Sequence, residues 1–138
     1  MPTLTEILDD PARNGVYRLT NDLAAAGALA DRPDVFRLDA RRCPDKDDLL
    51  KALGEALSFP DYYGNNWDAL EECLFDLSWW AGPVIVLIEH ANVLDRSALA
   101  TLVDIWTDAS AAWAEAGRIC LLILSGADAV ATLPAIED

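Results

Sequence analysis

At 138 residues, 53% hydrophobic and 25% charged, the chain is long enough to bury a core as a single domain over 1–138 and too apolar to be disordered. Its formal net charge of −14, from 24 acids against 10 bases, argues against direct nucleic-acid binding, which takes clustered Lys and Arg, and favours a basic partner. The first ten residues hold acids and no base, the apolar run at 77–88 is broken by Ser78 and Gly82-Pro83, and Cys43, Cys73 and Cys120 show no CxxC spacing. No signal peptide, membrane span or disulfide framework is therefore expected, and the protein is read as soluble and cytoplasmic with free thiols.

The polar start, residues 3–13, is read as one helical turn before a loop. Gly15-Val16-Tyr17-Arg18-Leu19 alternates as a first strand, and the Ala-rich stretch 22–30, capped by Thr20 or Asn21, is predicted helical until Asp31-Arg32-Pro33 ends it. Residues 34–39 form a second strand. Asp45 caps a helix over 46–57 with a stripe of Leu49, Leu50, Leu53 and Leu57.

Phe59-Pro60-Asp61-Tyr62-Tyr63-Gly64-Asn65-Asn66 then reads as a turn that feeds a helix over 66–77, with Asn65 or Asn66 as its cap. Trp67, Leu70, Leu74 and Leu77 share one face of it, while Asp68 and Glu72, four apart, lie roughly opposite. Beyond it, 84–89 and 118–125 are apolar almost without alternation, the mark of strands covered on both faces. Between them runs the longest helix, from Asp95 or Ser97 to 116, with Leu99, Leu102, Val103, Trp106, Ala109 and Trp113 inward and Gly117 at its C-terminal cap. His90 is a loop residue, and 126–138 is a weakly specified tail. The order βαβααβαβ implies an α/β fold: a small parallel sheet, right-handed crossovers and helices on both faces.

Charge is segregated along the chain: eight of the ten bases lie at or before Lys51, and none falls between Lys51 and Arg96. That interval holds Glu55, Asp61, Asp68, Glu71, Glu72, Asp76, Glu89 and Asp95, a one-sign field able to steer a cationic partner. Asp68 and Glu72 stand side by side on adjacent turns, a poor arrangement for the two flanks of a hydrolysed bond. A single His and scattered cysteines give no metal spacing, no nucleotide or nucleophile motif is present, and Cys73 falls near the buried face. No enzyme activity, cofactor or metal is expected. The candidate partner-binding residues are Tyr62, Tyr63, Gly64, Asn65, Asn66, Asp68, Glu71, Glu72 and Phe75, an aromatic and acidic mix suited to a protein interface.

Pro60-Asp61-Tyr62-Tyr63-Gly64-Asn65-Asn66-Trp67-Asp68-Ala69-Leu70 resembles the signature of the barstar family, and the likeness extends more loosely over 34–125. The resemblance implies a three-layer barstar-like α/β fold and an intracellular inhibitor, an antitoxin or immunity protein, that binds a ribonuclease and is monomeric when free. Asp68 and Glu72 match the family's two acidic inhibitor positions, Tyr62 its neighbouring aromatic contact, and Gly64 and Asn66 its loop positions. Three residues depart from the family's namesake: Glu72 replaces a shorter Asp, Glu71 a contacting Trp, and Asn65 a loop acid. An acidic contact on the later helix falls at Ala112. Residues 13–31 lie outside the likeness as an additional β-α unit expected to add an edge strand. The alternative reading is an interaction module for a basic protein that is not a ribonuclease.

Overall fold

The computed structural model describes residues 4–19, 29, 32–59, 66–76, 82–126 and 134–136. Its centre is the pair of apolar strands β3 (Val84–Glu89) and β4 (Cys120–Ser125), which run parallel with Ile85 opposite Leu121 and Leu87 opposite Ile123. Successive strand residues point to opposite faces. Accordingly Val84, Val86, Ile88, Cys120, Leu122 and Leu124 enter one core cluster, and Ile85, Leu87, Leu121 and Ile123 enter another. Every residue from 84 to 88 and from 120 to 124 is buried, as continuous apolarity predicts.

Among the described residues the sheet has five strands, all parallel. With β1 (Gly15–Leu19), β2 (Val35–Asp39) and β5 (Ala135–Ile136), the order is β2-β3-β4-β1-β5. The first face is covered by α2 (Lys46–Ala56), α3 (Trp67–Phe75) and α4 (Arg96–Glu115). The second is covered by Ile7 and Leu8 of α1 (Leu4–Leu8) with Leu29. Crossover handedness accounts for the side taken by Leu29, which lies on the connection from β1 to β2. The steps β2 to β3 and β3 to β4 move one way across the sheet, whereas β1 to β2 moves back the other way. Connections of one hand but opposite direction lie on opposite faces.

The caps match the expectations. Asp45 accepts from the amide of Asp48 at 2.9 Å, Asp95 from that of Ala98 at 2.9 Å, and Gly117 takes the left-handed conformation at φ 72°. The amides of Gly117 and Arg118 bond back to the carbonyls of Ala114 and Trp113, closing α4 in a Schellman turn. The cysteines are free and buried. Most of the helix expected over 22–30, with its caps, lies outside the described residues.

One expectation changes. The strand of the N-terminal unit is not outermost, because β5 pairs with it beyond β4, with Arg18 opposite Ala135 and Leu19 opposite Ile136. A tail strand of two residues is too short to show a period in sequence. The polar start forms the short helical turn expected of it, and its Ile7 and Leu8 also enter the core.

Asn14 joins that N-terminal unit to the rest. Its Nδ2 donates to the carbonyls of Ser110 at 3.2 Å and Arg118 at 2.7 Å, and its Oδ1 accepts from the Cys120 amide at 2.9 Å. One side chain thus ties the start of β1 to the end of α4 and the start of β4. Asn14→Ala strands three part-buried backbone groups, and unfolding by denaturant is expected to show a loss of about 2–4 kcal/mol. A loss below about 1 kcal/mol would mean that water replaces the side chain.

Candidate functional site

The nine residues of α3 separate into an inner and an outer surface. Leu70, Cys73 and Leu74 are buried, and Trp67 packs half-buried against the same core. Asp68, Glu71, Glu72 and Phe75 are exposed. At about 100° per residue these four fall within one stripe roughly 100° wide. Phe75 is 42% exposed, one of two large apolar side chains so open among the described residues. A carboxylate-lined stripe with an aromatic in its middle is therefore the outer surface of this helix.

A nine-residue helix is too short to hold itself in water, so its ends need other support. At the N-terminus, Asn66 adopts an extended backbone and its Oδ1 accepts from the Ala69 amide at 2.8 Å, which settles the cap between the two asparagines. At the other end, the buried indole N–H of Trp113 donates to the carbonyl of Leu74 at 2.7 Å. The Asp68 carboxylate in the first turn also faces the positive end of the helix dipole.

Among the described residues the carboxylates of the stripe carry no counter-charge, unlike those around β2. Asp34 pairs with Arg32, Asp39 with Arg41, and Glu89 with Arg37. The Arg41 side chain, followed by its backbone amide, holds the Asp39 carboxyl down at about 2. Asp68, Glu71 and Glu72 meet no cation among the described residues, so their charge faces outward unneutralised. Beneath them, burial first and then the carboxylates of Asp76 and Glu72 push the Cys73 thiol above its ordinary value, which keeps it protonated and unreactive.

A cavity of about 900 Å³ opens elsewhere, beside β2 and α2. Arg37, Arg41, Arg42 and Lys51 line it together with as many acids, two of which already bind Arg37 and Arg41. It is charge-balanced, and no residue of α3 lines it. Among the described residues no group of three metal-ligating side chains converges, and no helix is long and apolar enough to cross a membrane.

Of the candidate residues, Asn66, Asp68, Glu71, Glu72 and Phe75 are brought onto one unit, whereas Tyr62, Tyr63, Gly64 and Asn65 lie outside the described residues. Ala112 is half-buried. The sequence reading overlooked Asp104, Asp108 and Glu115, exposed along α4 within about 40° of one another. Their spacing of four and seven residues was available as a signal. α4 packs against α3, so acids project from both helices of this layer.

The described residues thus form a parallel α/β sheet covered on both faces, with an exposed acidic helix in one of the covering layers. A family model described as barstar (barnase inhibitor) matches residues 34–125, two-thirds of the chain. The chain belongs to the barstar family. A search of curated proteins finds no match.

The cap is open to test. Asn66→Ala is expected to lower stability by about 0.5–2 kcal/mol in thermal or denaturant unfolding, while Asn66→Asp, which retains an acceptor, leaves it nearly unchanged.

Proposed function

We propose that this chain is a non-enzymatic inhibitor of a basic ribonuclease or ribonuclease-type toxin, acting in the cytoplasm of the cell that makes both. The observation that carries the reading is the outward stripe of Asp68, Glu71, Glu72 and Phe75, without counter-ions among the described residues, on α3 of a barstar-family chain. A ribonuclease binds RNA phosphates through Arg, Lys and His, and carboxylates held on a helix supply charge of the same sign. In this reading Asp68 and Glu72 occupy the phosphate positions, and Phe75 with Tyr62 and Tyr63 excludes water around them. Gly64, Asn65 and Asn66 shape the loop that presents them, and Glu71 widens the acidic contact.

Burial of a charge against its opposite is favourable when both stay hydrogen-bonded, and truncating one of them leaves the other stranded. Asp68→Ala and Glu72→Ala are therefore each expected to weaken binding to the cognate ribonuclease by about 2–5 kcal/mol, mainly through faster dissociation. Kinetic binding assays over a panel of basic ribonucleases provide the check, and tight binding retained by the double variant sinks the mechanism. Asp104, Asp108 and Glu115 add long-range attraction. The association rate should accordingly fall steeply as salt rises from 50 to about 500 mM, where the screening length drops to a few Å. A rate independent of salt would remove steering from the account.

Glu71 and Glu72 also favour a second reading, a module for a basic protein that is not a ribonuclease, because they replace a Trp and an Asp at family contact positions. Affinity capture that returns a basic partner without RNA-cleaving activity selects it.

A further inference from the structure

We infer that Trp113 is a positioning residue for the partner-binding stripe: its indole N–H holds the Leu74 carbonyl and so fixes the last turn of α3, which carries Glu71, Glu72 and Phe75. The inference rests on the reading of α3 as the binding helix. A helix leaves its last four carbonyls without intrahelical partners. In α3 the Glu72 carbonyl retains the Asp76 amide at 3.0 Å, and the Leu74 carbonyl is taken by Trp113 at 2.7 Å, across 39 residues of sequence.

The clamp is itself braced. Trp113 is fully buried, and the Arg118 guanidinium lies 4.4 Å from its ring centroid. Arg118 in turn donates to the Gly82 carbonyl at 3.3 Å, and its amide bonds to the Trp113 carbonyl at 2.9 Å. The indole is therefore held between the Schellman turn of α4 and the residues leading into β3, and it has little freedom to follow a fraying helix end. Asn66 fixes the first turn of α3, where Asp68 sits, by a separate contact. Each half of the stripe thus has its own anchor.

Trp106 supplies the comparison. It is also fully buried on α4, but among the described residues its indole N–H has no hydrogen-bond partner. The test compares Trp113→Phe with Trp106→Phe in the full chain, by amide exchange in the free protein and by binding kinetics with a barnase-type ribonuclease. Trp113→Phe is expected to lower protection of the amides of residues 73–76 about tenfold relative to those of β3 and β4, and to speed dissociation about tenfold. Trp106→Phe does neither. In double-variant cycles, Trp113→Phe is non-additive with Phe75→Ala, on the clamped turn, and additive with Asp68→Asn, on the capped one. If the Phe variant does not fold, the benzothiophene analogue of tryptophan at 113 keeps the shape and removes only the N–H.

Wild-type protein that binds, with a Trp113 variant that binds equally well or couples equally to both positions, overturns the positioning role. Wild-type protein that binds no such ribonuclease overturns the reading of the site on which that role depends.

Discussion

The two central strands are apolar on both sides, and that constraint organises the protein. Ile85, Leu87, Leu121 and Ile123 face away from the three helices of the family-matched region, and leaving such side chains in water costs about 1.5–3 kcal/mol each. Ile7, Leu8, Tyr17, Leu19 and Leu29 of the preceding segment join them in one cluster. That segment is a layer of the fold, and Asn14 bonds it to both α4 and β4. The match beginning at residue 34 thus marks where the family pattern starts, and the core starts earlier.

With the sheet covered on both faces, the outer side of α3 owes nothing to the core. Its inner side is closed by Leu70, Cys73 and Leu74, and its ends are held by Asn66 and Trp113. A short helix held from outside can carry adjacent carboxylates whose mutual repulsion would weaken it in isolation. Bases are spent elsewhere: Arg32, Arg37 and Arg41 pair with acids around β2, which leaves the α3 and α4 side negative. The segregation seen along the chain, bases early and acids in the middle, persists in space because β2 and α3 occupy different parts of the fold.

Much of this was legible. Leu49, Leu50, Leu53 and Leu57 marked the buried side of α2, Asp45 and Asp95 the helix starts, and Gly117 the end of α4, because periodicity and caps depend on near neighbours in sequence. Asp68 and Glu72 were legible as sharing the exposed face for the same reason, whereas the place of Glu71 and Phe75 beside them came from the structure. Ile7 and Leu8 were not legible, since five helical residues are too few to show a period, and nothing local in Ala135 and Ile136 announces a strand. The placement of β1 inside β5 was equally hidden, because a strand's neighbours are chosen by the whole sheet.

The Phe59 to Leu74 stretch, taken alone, determined that a capped helix would carry acids on one side and apolar residues on the other, and its motif placed the chain near the barstar family. The tertiary structure decided which asparagine caps, what holds the far end, and that no cation among the described residues comes to neutralise the acids. The physical reason is range. Helical faces and caps are set within about four residues. The bonds from Trp113 to Leu74 and from Asn14 to Arg118 instead span 39 and 104 residues and exist only once the layers have packed.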